Sequence, residues 1–240
     1  MEKSKSGAPI YRYDDHKPKD FELAIGESSM EEITGHIEKH VGQIDLVYHE
    51  IISDKVHVDI HCINPTPELP FYKLITTGMS DKPMNTPPDV QDCEYAELCI
   101  CLPQNWKLTE EDFKNENYYW PLRSLKFLAH FPHEYDTWLG WGHTIPYGNP
   151  PAPFADNNNF NTIALLPPIE FGEEFPQLKL ENKTINFFSL IPLYQEEVQL
   201  KLDKGIEALF DDFEKHNVTD VIDINRPNVA LRKKKRFGLF

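Results

Sequence analysis

The sequence predicts a mixed α+β (α/β) fold, with a central mixed β-sheet flanked by helices in a single domain, and three observations carry this. Cys93 to Leu102 is apolar on both faces apart from Glu94 and Glu97, as an interior strand covered on each side is. Val56 to Ile63 alternates: Val56, Val58, Ile60 and Cys62 point one way, and His57, Asp59 and His61 the other. Met30, Ile33, Ile37 and Val41 recur at helical spacing, and Val198, Leu202, Ile206, Leu209 and Phe213 do so again beside a charged face.

Residues 1–28 lack clear periodicity and read as an N-terminal extended segment lying over the body. Ser29-x-x-Glu32 then has the spacing of a capping box, and Gly42 suits the far end of the first helix. Ile44 to Ser53 and Val56 to Ile63 form a predicted hairpin around Asp54 and Lys55. Phe71 to Thr77 is a strand that Gly78 to Ser80 ends, and the proline-rich stretch from Lys82 to Pro88 is irregular.

Pro121 suits the first turn of a helix, with Leu122, Leu125, Leu128 and Ala129 on one face and Pro132 as its end. Thr137 to Thr144 has no period. Trp138 and Trp141 flank Gly140, and Gly142 precedes His143, which suggests tight turns beneath large aromatics. Composition favours a core loop with buried indoles; an exposed aromatic platform for a partner is the alternative. Gly148 to Asn159 is a loop, and Phe160 to Leu166 a strand stopped by Pro167 and Pro168. Thr184 to Tyr194 is the last long strand and passes into a helix near Gln195 that Gly205 breaks or bends. Asp220 to Ile224 is a short strand candidate, followed by a basic C-terminal tail over residues 229–240.

The net charge of −15 over 240 residues disfavours nucleic acid and anionic membranes and favours a basic partner. Arg232 to Arg236 runs against that charge, as a solvated tail dispensable for folding. No apolar run reaches the length of a membrane span and the polar opening is unlike a signal peptide, which predicts a cytoplasmic protein. The four cysteines include no CxxC pair and read as reduced thiols. The glycine-rich nucleotide-binding loops and the serine-hydrolase elbow are absent.

Four blocks follow one another in the chain: HVDIHCINPTPELPFYKLITTGMSDKPMN from His57, YAELCICLP from Tyr95, TWLGWGHTIP from Thr137 and INFFSLIPLYQEEVQLKLDKG from Ile185. With these, the sequence resembles the suppressor-of-fused (SUFU) domain family, in particular its compact bacterial members, with the domain over residues 29–228. The resemblance implies a mixed α/β domain without known enzymatic activity that acts by binding protein. Animal members restrain a transcription factor of Hedgehog signalling between this domain and a second one, for which no counterpart is expected here. Bacterial members have been proposed as immunity proteins that neutralise toxins, and a basic toxin domain would suit so acidic a chain.

The family motifs single out Asp59, Thr77, Trp138, Trp141, His143, Glu196 and Glu197 as candidate partner-binding residues, with Gly78, Gly140 and Gly142 beside them. No catalytic residue, cofactor or metal is expected. By strand alternation Asp59 and the Trp138 to His143 loop are expected to bound one concave surface. The competing reading is a metal-dependent hydrolase in which His57, Asp59, His61 and His143 hold the ion and Glu134 is the base, since alternate strand residues share a face. A weaker one makes the chain a nucleic-acid-associated regulator acting through its basic tail.

Overall fold

The computed structural model describes residues 2–13, 28–51 and 54–231. Two short strands, β1 (Glu2–Lys3) and β2 (Pro9–Ile10), pair with each other at the N-terminus. There follow α1 (Met30–His40), β3 (Leu46–Tyr48), β4 (Asp59–Ile63), β5 (Phe71–Thr77), β6 (Tyr95–Pro103) and α2 (Glu116–Tyr135). The second half comprises β7 (Thr144–Pro146), β8 (Thr162–Leu166), β9 (Gln177–Lys179), β10 (Thr184–Leu193), α3 (Gln195–Lys204) and α4 (Ile206–Lys215).

An eight-stranded mixed sheet organises the molecule, in the order β3-β4-β5-β6-β10-β8-β7, with β9 against β10. The pairing of β6 with β10 is parallel and the other pairings are antiparallel. Alternation divides each strand between two cores. Ile60, Leu74, Leu98, Ile100, Leu165 and Leu190 join the α2 residues Trp120, Leu125 and Leu128 on one face. On the other, Ile63, Ile75, Cys99, Cys101 and Phe187 pack on Ile33 and Ile37 of α1, while Ala164, Ile191 and Leu193 pack on Leu209 and Phe213 of α4. The continuous apolar runs of β6 and β10 follow from this double coverage.

Glu97 stands inside that run and is fully buried in β6. Its carboxylate accepts hydrogen bonds from the Thr76 hydroxyl (2.6 Å), the Ser80 hydroxyl (2.6 Å) and the Ser80 N–H (2.9 Å). Burial outweighs these donors and pushes its pKa up to about 7.

Several local expectations change. α2 begins five residues before Pro121, capped by the Asn115 side chain, which accepts from the Asn117 N–H. Pro121 and Pro132 both lie inside the helix. The Asn117 carbonyl, four residues before Pro121, instead accepts the Asn157 side-chain amide at 3.3 Å, which offsets the N–H that Pro121 lacks. The helix ends at Asp136, in the left-handed region, rather than at Pro132.

The Ser29 to Glu32 capping box does not form: the Ser29 side chain makes no cap hydrogen bond, and its N–H donates to Asp81. The predicted hairpin shrinks to β3 and β4, and Asp220 to Ile224 contributes only a bridge between Val221 and Cys101. Gly205, with φ 97° and ψ 168°, does break the last long helix into α3 and α4. Of the cysteines, Cys62, Cys99 and Cys101 are buried and Cys93 partly so, all as free thiols. Residues 14–27 and the basic run from Arg232 to Arg236 lie outside the described residues.

Candidate functional site

The loop joining α2 to β7 is the most specifically built surface feature. Its start is fixed by the end of α2, where the Thr137 N–H donates to the Pro132 carbonyl at 2.9 Å. Leu139 is buried in the α2-side core, and its N–H donates to the Met84 sulfur at 3.4 Å. The Gly142 N–H donates to the Leu165 carbonyl (2.8 Å), and the Leu165 N–H returns a bond to the His143 carbonyl (2.9 Å). Glycine is required at 140, where a Cβ would stand 2.5 Å from the Trp138 ring. Gly142 has φ 76°.

This tethered backbone divides the two indoles. Trp138 turns inward, half-buried against the core, with its ring 4.3 Å from that of His143. Trp141 turns outward, 46% exposed, and stacks on Phe210 of α4 at 6.0 Å and 12°. The loop is therefore neither wholly core nor wholly platform. Burial, with the nearby Lys201 charge, pulls the His143 pKa down to about 4, so the imidazole is neutral at pH 7. Burial also lowers the pKa of Lys201, whose ammonium donates to the Thr144 hydroxyl at 3.3 Å.

Asp59 and Thr77 lie elsewhere. They face each other in register across β4 and β5 and are both buried. Asp59 accepts hydrogen bonds from His49 Nδ1 (3.0 Å) and the Glu50 N–H (3.2 Å) and pairs with His57 Nε2 (3.2 Å). Glu50 in turn accepts from the Val58 N–H and from His130 of α2. These carboxylates tie the chain leading into β4 down onto the body. β5, β6 and β10 separate β4 from β8, where the loop docks; four strand spacings amount to about 19 Å. Asp59 also shares the β4 face of Ile63, opposite the core on which Trp138 and Leu139 pack. Asp59 and the loop accordingly do not bound one concavity.

Glu196 and Glu197 open α3. Glu196 is exposed and accepts from the Asn228 side-chain amide at 2.7 Å. Glu197 is fully buried and clamped by Arg226 through two bonds of 2.6 Å, with the Tyr194 and Val229 N–H groups also donating to it. The Arg226 guanidinium sits among Phe160, Tyr194 and Phe213, 4.9 to 5.3 Å from their ring centres. Glu197 thus latches the C-terminal segment onto α3, and as placed neither it nor Thr77 touches solvent.

The family model for suppressor of fused protein (SUFU) matches residues 54–227, most of the chain and all of the sheet beyond β3. The chain belongs to the suppressor of fused family. It is similar in fold to a putative SUFU homologue from Neisseria gonorrhoeae (TM-score 0.60, 18% identity), over 85% of this chain and 97% of that one. It is also similar in fold to a chain of a Sufu–Fu complex (TM-score 0.60, 11% identity, 85% of this chain and 93% of that one). Drosophila Suppressor of Fused is similar at TM-score 0.58 and 12% identity, over 89% of this chain and 54% of that one. Among curated proteins no sequence is significantly similar.

The hydrolase alternative finds no support in this suppressor-of-fused fold. His57 and Asp59 pair with each other, His61 turns to the Thr77 hydroxyl at 3.0 Å, and His143 lies near the far edge of the sheet. Among the described residues no group of three His, Cys, Asp or Glu side chains converges as a metal site. No helix among them is long and apolar enough to cross a membrane.

Sequence reasoning missed four participants. Arg226 has no sequence signal, because its partners come from four distant segments. Lys201 is, in sequence, one cation among many on a charged helix face. Tyr11 and Tyr13 fell in a segment without period, yet Tyr13 packs on Phe131 and Tyr135, and Tyr11 lies near His143.

Proposed function

We propose that this suppressor-of-fused domain works without catalysis, by capturing another protein on the surface around Trp141. In this reading it is a bacterial immunity-type protein of the cytosol that binds and neutralises a toxin domain. The observation that carries the reading is the division of labour in the loop. Leu139, Trp138 and the bonds to β8 fix the backbone, which leaves a half-exposed indole on a rigid mount, the arrangement of an anchoring residue in a binding loop. Trp138 and His143 hold the mount, and Trp141 makes the contact. Glu197 acts from within by latching the C-terminal segment onto α3, while Asp59 and Thr77 hold the distant β4–β5 end of the sheet.

The net charge of −15 gives the second part of the argument. It steers a basic partner toward the surface and speeds its capture, an effect that weakens with salt. The test is co-expression with the product of the neighbouring gene. Rescue of growth from that toxin, together with a stable complex on gel filtration, is expected; a toxin that stays active and unbound contradicts the proposal.

A further inference from the structure

Residues 2–13 form a small hairpin laid on the end of α3 and the Trp138 to His143 loop. Strands β1 and β2 pair, Gly7 turns between them at φ 91°, and Arg12 closes the hairpin through bonds of 2.8 and 3.0 Å to Glu2. The Ser6 N–H donates to the Leu202 carbonyl (3.0 Å) and its hydroxyl to the Lys201 carbonyl (3.4 Å). Both acceptors belong to the last turn of α3; the Lys201 carbonyl also accepts the Gly205 N–H at 2.8 Å, and the Leu202 carbonyl is among those that lack a partner within the helix. Lys5 pairs with Asp203 at 3.0 Å.

Two aromatic rings complete the contact. Tyr11 approaches His143 with ring centres 6.3 Å apart. Tyr13 packs edge-on against Phe131 (5.3 Å) and Tyr135 (5.5 Å), and its hydroxyl shares a hydrogen bond of 2.5 Å with that of Thr137. Across the segment only Ser4, Ala8 and Ile10 are partly covered, and the other described residues are exposed. A segment held by so few buried contacts opens at small cost. With Lys3, Lys5 and Arg12 against Glu2, it carries a net positive charge on an acidic body.

We propose that the face formed by the C-terminal turn of α2, the Trp138 to His143 loop and the end of α3 is a peptide-docking surface, filled at rest by the chain's own residues 2–13. The external occupant it fits is an extended, net-basic segment of a partner protein with two aromatic residues two positions apart, as Tyr11 and Tyr13 are. Such a segment displaces the strap and gains access to the flank of Trp141, so the strap sets a threshold for capture. The inference rests on the reading of that loop as a binding surface.

The test needs no partner. A fluorescent synthetic peptide of residues 2–13 is titrated into the full chain and into the full-length Tyr11→Ala, Tyr13→Ala variant, with binding read by anisotropy. The variant is expected to bind it at least about ten-fold more tightly than the wild type, whose site is already filled at high effective concentration. A peptide with both tyrosines replaced by alanine is expected to bind neither, and added salt to weaken the complex. Equal binding by both chains, or none by the variant, overturns the proposal. So does a variant that fails to fold, since the tyrosines would then be core rather than strap. In the wild type, hydrogen exchange at the Ser6 amide is expected to be far faster than at Leu165; equal protection contradicts a displaceable strap. Because Trp141 and the toxin are absent from these readouts, failure here leaves the proposed function standing.

Discussion

Replacing Arg226 by alanine should be among the most damaging single changes in this protein. Glu197 is fully buried, and Arg226 gives it two hydrogen bonds of 2.6 Å while bonding the Pro192 carbonyl at 2.8 Å. Removing the guanidinium leaves a carboxylate in the interior with only the Tyr194 and Val229 N–H groups. Breaking a buried ion pair from one side costs about 3–5 kcal/mol. For a chain of this size that is a fall in Tm of roughly 10 °C. Urea unfolding followed by circular dichroism measures it. An Arg226→Met, Glu197→Leu double variant should lose less than Arg226→Ala, because no charge is left behind. A single variant within about 1 kcal/mol of wild type, or a double variant worse than the single, would refute the latch.

The pH dependence of stability has a resolvable component in Glu97, whose folded pKa of about 7 stands above its ordinary 4.5. Between those values the folded state holds the extra proton, so this group's contribution falls as pH rises through the window. Glu97→Gln, which imitates the protonated form, should therefore gain on wild type from pH 4.5 to 7; a constant difference across that range would sink the assignment. His143, pulled down from 6.5 to about 4, has the opposite sign: its contribution is present above 6.5 and lost as pH falls. An asparagine at 143 should remove that acid sensitivity, and an unchanged acid limb of the Tm–pH curve argues against it. Gly78→Ala should cost about 2 kcal/mol or more, from the left-handed backbone and the steric clash together. At φ 97°, its new Cβ would stand 1.8 Å from the His57 carbonyl oxygen. A wild-type urea midpoint for that variant would show that the turn shifts freely.

The long elements were legible because burial leaves a direct mark on sequence. β6 and β10 are buried nearly throughout and read as largely apolar runs, and the Gly205 break follows from a residue with no Cβ at φ 97°. The start of α2 was not legible. Its first turn is polar and its prolines lie in the interior, where the Asn157 amide meets the carbonyl freed by Pro121; that compensation comes from 40 residues away. The same holds for the site. Turn glycines and tryptophans marked the loop, but which indole faces outward depends on Phe210, contributed by α4. Alternation placed Asp59 opposite Val58 and Ile60 correctly, yet it says nothing of how many strands stand between β4 and the loop. Glu97 was visible as an exception in an apolar run, and its Ser80 and Thr76 donors were not.

The central claim is that this family member captures a protein partner with Trp141, and calorimetric titration of the partner into wild type and Trp141→Ala tests it most directly. The indole is half exposed and outside the core, so the variant should keep its far-ultraviolet circular dichroism spectrum and its Tm. Its partner affinity should drop by about 2 kcal/mol or more, roughly thirty-fold in Kd. A folded Trp141→Ala chain that binds with wild-type affinity would contradict the account.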